Sequence, residues 1–216
     1  MKRYKIWCAW LLVWIICCTG SALAESRYNA LSAGSNVVRE DVAAWIEIPS
    51  AGFSKPVMQR AEDDTYYAVH DPGGGESEFG SLYTQASYNA ADFSDPVTVV
   101  YGSSKTQGTP LRRLQELYSG QFEENRRILL HLPEETVEYE VFAAIPYSSL
   151  HILHYYDFSV ERRYEGFFED VFRTRQLGMH LDEESRPEYG DKVLILSTGL
   201  RGDSLQRYLV MAKAAK

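Results

Sequence analysis

The sequence predicts a mostly β domain, a small barrel with helical additions. Three observations carry that reading. Short runs of β-forming residues, several alternating with period two, recur between turns rich in Gly, Pro and Asp. A single long amphipathic segment, 159–177, interrupts them late in the chain. The last two apolar runs, around Leu194 and Leu209, are joined by a Gly-rich, charged loop. Many short strands with one late helix fit a barrel better than a layered α/β sheet.

The chain of 216 residues has room for one ordinary domain plus a targeting segment. Its net charge of −8 argues against nucleic acid or an anionic surface as the main partner. Lys2, Arg3 and Lys5 precede an apolar run from 6 to 18, and Ala22-Leu23-Ala24 has the form of a cleavage site. Residues 1–24 are therefore read as a signal peptide, or as an N-terminal membrane anchor if uncleaved. The expected location is the extracellular face of a bacterial membrane or the cell wall, or secreted if cleavage follows Ala24. The membrane is touched only through this segment. All three cysteines, Cys8, Cys17 and Cys18, lie within it. The remainder has no disulfide, thiolate metal site or Cys nucleophile, and no cofactor is expected.

The elements follow in order. Residues 25–44 read as a linker and a short N-terminal helix, with Asn36 as cap and Val37, Val38, Val42 and Trp45 near helical spacing. The barrel domain is placed at 45–216. Residues 45–49 alternate as a strand that stops at Pro49, and 55–59 form a second. Asp63-Asp64-Thr65 starts a helical turn, Asp71-Pro72-Gly73-Gly74-Gly75 is a flexible loop, and 81–83 is a strand. A buried strand at 97–101 ends at Gly102. Thr109-Pro110 opens a helix carrying Leu111, Leu114 and Leu117. Residues 128–132 and 136–145 form a hairpin around Pro133-Glu134-Glu135, the second strand putting Val137, Tyr139 and Val141 opposite Glu138 and Glu140. Ser159 caps the long helix, Val160, Tyr164, Phe167, Phe168, Val171 and Phe172 form its stripe, and Gly178 ends it. Residues 191–198 form a strand with Val193, Ile195 and Ser197 on one face and Leu194, Leu196 and Thr198 on the other. A loop from Gly199 to Asp203 leads to a last strand at 207–211.

Several of these stretches resemble class B sortases, the transpeptidases that join surface proteins to bacterial cell walls. Ala44-Trp45-Ile46-Glu47-Ile48-Pro49 is similar to the family's GWLKIPG opening, and Lys55-Pro56-Val57-Met58-Gln59 to its YPVVQ strand. Asp64-Thr65-Tyr66-Tyr67 with His70-Asp71, then Gly80-Ser81-Leu82-Tyr83, Asp92-Phe93-Ser94-Asp95 and Val99-Val100-Tyr101-Gly102, follow in the family's order. The helix at 159–177 stands where class B sortases insert one before the last two strands. Leu196-Ser197-Thr198-Gly199, with Arg207 eight residues on, looks like the family's LSTC…R segment. The resemblance implies a sortase-like closed β-barrel.

It also implies a changed site. A sortase uses a Cys thiolate as nucleophile, a His as acid and an Arg that steadies the oxyanion or the substrate backbone. Here Gly199 stands at the Cys position and Ser103, followed by Ser104, at the His position. Only the Arg is carried over, as Arg207. The expected peptide-binding set is Arg207, Ser197, Thr198 and Tyr101, with no metal. Arg207 is either a retained substrate group or a structural Arg paired with Asp203 or Asp191. His70 reads as structural. His151 and His154 with Asp157 have metal-pair spacing, or belong to an aromatic loop packed on the helix. Arg201-Gly202-Asp203 spells an integrin-recognition tripeptide or is a chance match.

The implied function is that of an inactive pseudosortase, binding sorting-signal-like peptides or partners in surface-protein or pilus assembly. The rival is a divergent sortase-fold transpeptidase or hydrolase with a hydroxyl nucleophile. A third reading is a structural interaction domain.

Overall fold

The computed structural model describes residues 27–102, 118, 122–200 and 203–215, with the backbone alone at 203 and 204. Its strands are β1 (Val42–Ile48), β2 (Phe53–Met58), β3 (Leu82–Tyr83), β4 (Val97–Gly102), β5 (Arg127–His131), β6 (Thr136–Ser148), β7 (His180–Leu181), β8 (Val193–Leu200) and β9 (Asp203–Ala214). They pair in the order β5-β1-β2-β3-β4-β8-β9-β6, and a β5–β6 pairing closes the ring. The result is an eight-stranded closed barrel with β7 added on β6. Closure leaves no long edge to template aggregation. The 13-residue β6 makes it possible. Its first part pairs with β5, its later part with β7, and a bulge between Val141 and Ala143 turns the strand between them.

Two apolar layers share the strands. Inside the barrel lie Ile46, Val57, Val100, Leu194, Leu196 and Val210. Outside, the helix Glu161–Arg173 packs Tyr164, Phe167, Phe168 and Val171 onto Val97, Val99, Val193, Ile195, Leu209 and Met211. Period-two alternation in β8 serves both: Leu194 and Leu196 point inward, Val193 and Ile195 outward. Fully burying one such side chain contributes about 1.5–3 kcal/mol, so the outer layer is as much core as the inner one. Among the described residues, no helix is long and apolar enough to cross a membrane.

The structure corrects several expectations. Among the described residues the N-terminal helix covers 27–33, and Val42 and Trp45 already belong to β1, so Asn36 lies beyond its end and caps no helix there. Pairing with β2 and β5 overrides the weak helical spacing of 37–45. The 27–33 helix docks through Tyr28 Oη donating to the Val42 carbonyl and Trp45 Nε1 donating to Ser32 Oγ. Arg27 donates to both oxygens of Glu47, each at 3.0 Å. Glu47 in turn accepts from buried His131. The expected flexible loop is a closed turn, in which Asp71 Oδ1 accepts from the Gly73 and Gly75 amides. Ser159 is not the helix cap. It is held in an Asx turn by Asp157, and Val160, expected in the apolar stripe, is exposed and occupies the cap position one residue before the helix. The helix stops at Arg173, before Gly178. The Gly199–Asp203 loop is also shorter than expected: β8 runs to Leu200, β9 begins at Asp203, and these two residues pair. The expected helix at 109–117 and the N-terminal segment 1–24 lie outside the described residues.

Candidate functional site

The candidate site forms where β4, β8 and β9 reach one rim of the barrel. The parallel β4–β8 ladder sets Tyr101 beside Ser197 and Gly102 beside Thr198. The β8–β9 ladder holds register to Gly199 opposite Arg207 and then slips, since Leu200 pairs with Asp203. Arg207 keeps its other neighbour, Tyr147 of β6. A bulge at a barrel rim re-aims side chains, and here it sits next to Gly199.

On the outer face, Tyr101, Ser197, Arg207 and Leu209 meet residues 148–152 around a cavity of about 50 Å³. Three of the expected binding residues, Tyr101, Ser197 and Arg207, are therefore together. Thr198 is not with them. It alternates to the inner face, where it is buried and its hydroxyl has no partner. Ser103 and Ser104 lie outside the described residues, as do Arg201 and Gly202 of the tripeptide.

Arg207 has no ion pair among the described residues. Asp191, one expected partner, sits instead 3.8 Å from Lys213. The Tyr101 hydroxyl is buried without a hydrogen-bond partner. Burial raises its pKa from the ordinary tyrosine value, the neighbouring Tyr83 adds to that, and Arg207 pulls the other way.

His151, expected either in a metal pair with His154 or in an aromatic loop, forms one wall of the cavity. Its Nδ1 accepts the His154 amide at 3.1 Å, so Nε2 carries the proton and meets Gln85 Oε1 at 2.7 Å. Burial lowers its pKa below the ordinary histidine value. Neither ring nitrogen is left to deprotonate Ser197 or to bind a metal. Gln85 and His151 are 66 residues apart in sequence, so no local spacing could have announced the contact. Tyr88 and Tyr101 gather on the same ring, with centroids 4.6 and 5.9 Å away. The other tyrosines of the motif regions are structural. Tyr67 is buried and donates to Asp41, and Tyr66 stacks on His70 at 3.7 Å. His70 Nδ1 bonds the Tyr66 carbonyl, which fixes it as part of the scaffold.

Chemically, the cavity offers a guanidinium, hydroxyls and a neutral imidazole. It suits recognition of hydrogen-bond acceptors and has no thiolate.

No protein-family model and no curated protein matches the sequence. Solved structures do. Staphylococcus aureus sortase B in a substrate complex aligns with TM-score 0.71 at 19% identity, over 89% of this chain and 86% of that one. Clostridium perfringens sortase B aligns with TM-score 0.69 at 21% identity, over 82% and 95%. Listeria monocytogenes sortase B gives 0.67 at 19%, over 81% and 95%.

The fold is the sortase B fold.

At these identities the likeness is one of architecture. It shows the sortase-like fold alone.

Proposed function

We propose that this chain is an exported, sortase-like protein that binds a sorting-signal-like peptide, or an extended segment of a surface protein, without Cys-type transpeptidation. The observation that carries this reading is the rim cavity. Tyr101, Ser197 and Arg207 converge there, while Gly199 stands opposite Arg207 with no side chain to attack a carbonyl. The sequence resemblance puts Gly199 and Ser103 at the nucleophile and acid positions. Losing a nucleophile removes orders of magnitude in rate and leaves binding. A similar structure is a sortase B–substrate complex, which supports a substrate groove on this architecture. The N-terminal segment 1–24 supports export.

The test is titration of purified 25–216 with sorting-signal peptides, alongside a cleavage assay of the wild type and of the double variant Ser103→His with Gly199→Cys. Binding without cleavage by the wild type, and cleavage by the double variant, is the expected result. Cleavage by the wild type that vanishes in Ser197→Ala or Ser103→Ala would establish the hydroxyl-nucleophile rival. The commitment of both His151 nitrogens speaks against it.

A second reading has its own observation. A wider cleft of about 560 Å³ lies beside the first, lined by Tyr88, Leu153, Tyr155, Tyr156 and Arg163. Tyr155 is largely exposed there. If partner binding fails in Tyr155→Ala and survives Arg207→Ala, the protein is an interaction domain that works through this surface.

A further inference from the structure

The segment 148–152 lines the rim cavity together with Ser197 and Arg207. It has little regular structure of its own. β6 ends at Ser148, and the helix Ile152–Tyr155 is a single turn. A helix this short gains too few internal hydrogen bonds to hold itself, so the groups at its ends decide whether the wall stays in place.

The His151 ring supplies ties on both sides. Nδ1 caps the helix by accepting the His154 amide at 3.1 Å. Nε2 donates to Gln85 Oε1 at 2.7 Å. Gln85 belongs to a neighbouring turn, where its carbonyl accepts the amides of Tyr88 and Asn89 at 3.1 and 2.9 Å. The Tyr88 ring packs on the imidazole with centroids 4.6 Å apart. One side chain therefore joins the 148–155 wall to the 85–89 turn.

The join works in one protonation state. A neutral imidazole with its proton on Nε2 offers one donor and one acceptor, and Gln85 Oε1 and the His154 amide require one of each. An imidazolium has two donors. Its Nδ1–H would meet the His154 N–H, and the cap would become a contact between two donors.

The surroundings favour the neutral ring. Burial is the largest influence and lowers its pKa below the ordinary histidine value; the charges of His154 and Arg207 act the same way, while its own backbone and Asp64 act against them. Asp64 is engaged nearby, since its Oδ1 accepts the Ser87 amide. Gln85 is uncharged, and Tyr88 and Tyr101 meet the imidazole as rings. A histidine depressed in the closed arrangement leaves that arrangement at full stability above the ordinary histidine value. Stability is lost as pH falls below it, because the open arrangement takes up the extra proton more readily.

Resting on the peptide-binding reading above, we propose that His151 is a positioning residue for the peptide site: its neutral ring clamps the 148–155 wall to the 85–89 turn, and its protonation releases the wall and weakens binding in mild acid. It acts through the helix cap and Gln85, and no proton passes between it and the peptide.

The first test needs no peptide. In purified 25–216 labelled with ¹⁵N-histidine, the His151 ring and the His154 backbone amide are followed from about pH 8 to about pH 4.5, with assignments made by loss in His151→Asn and His154→Asn. The His151 ring should be the Nε2–H tautomer at neutral pH and titrate below the ordinary histidine value. The His154 amide should shift with the His151 midpoint and lose that step in His151→Asn, because Asn caps without titrating. A ring that titrates at or above the ordinary value, or an amide that ignores it, overturns the clamp.

The second test reads binding. Sorting-signal peptides without titratable groups, capped at both ends, are titrated over the same range. Affinity should be level above the ordinary histidine value and fall about fivefold in mild acid, the worth of one cap bond. His151→Asn should bind less tightly at neutral pH, having lost the Gln85 contact, but with a flat pH profile. His154→Asn should keep the acid loss. A flat wild-type profile, or an acid loss that survives in His151→Asn, overturns the positioning role and leaves peptide binding standing. If no peptide binds at any pH while ring and amide titrate together, the clamp stands and the peptide reading falls alone. No binding and no shared midpoint overturns both.

Discussion

The two halves of the outer face of β8 are built from one strand and treated in opposite ways. Val193 and Ile195 lie beneath Phe167 and Phe168, in a layer where every side chain is apolar and aromatic rings meet edge to face at 5.0 Å. Two residues further on, Ser197 lines a small cavity with Tyr101 and Arg207, and at four residues Gly199 pairs with Arg207 across the ladder. Backbone pairing is the same in both halves. What differs is the cover: the 161–173 helix seals the first, while the second meets only residues 148–152 and the bulged start of β9. Stability and recognition are thus separated along a single strand, and substitutions in the two halves should separate them too.

The largest effect is expected under the helix. Phe167→Ala should lose about 3–5 kcal/mol of unfolding free energy, read by urea denaturation, whereas Ser197→Ala should stay within about 1 kcal/mol. Similar losses from both would break the comparison.

At the rim the order reverses. Arg207→Ala should weaken peptide binding about tenfold or more and leave the denaturation midpoint nearly unchanged. A large stability loss with intact binding would make Arg207 a structural residue.

Acid provides a control remote from both halves. Burial alone would raise the Glu47 carboxyl, but hydrogen bonds from Arg27 and His131 together outweigh it and hold its pKa below the ordinary glutamate value. A carboxyl depressed in the folded state adds stability above its unfolded pKa, and that stability is lost as pH falls through the folded value. Arg27→Ala should therefore cost stability at neutral pH, and the cost should shrink as pH drops below the ordinary glutamate range, with no change in peptide affinity at neutral pH. A pH-independent cost would exclude the Glu47 contact as its cause.

The smallest effects sharpen the picture. Thr198→Val removes a buried hydroxyl that has no partner, so stability should hold or rise by up to about 1 kcal/mol. Ser159→Ala should cost less than about 0.5 kcal/mol, because the turn is held chiefly by Asp157. Asp157→Ala should cost more, and the reverse order would restore Ser159 as the cap.

Much of this molecule could be read from the chain. The alternation of β8 named its two faces correctly, and the stripe of the 161–173 helix named the outer layer. Tyr101, Ser197 and Arg207, which the family resemblance singles out, line one cavity at the rim. The N-terminal helix was misplaced because Val42 and Trp45 fit either period, and only the partners β2 and β5 decide between them. Ser159 was misread because Asp157, two residues earlier, competes for the same turn.

Residue identity and local period gave most of the strands, though not the short β7, together with the outer helix, the absence of cysteine beyond position 18 and the glycine at 199. The tertiary structure decided the ring closure through β5 and β6, the burial of Thr198 and the arrival of His151 at the rim. Each depends on contacts between residues far apart in sequence, where packing rather than local spacing sets which groups meet.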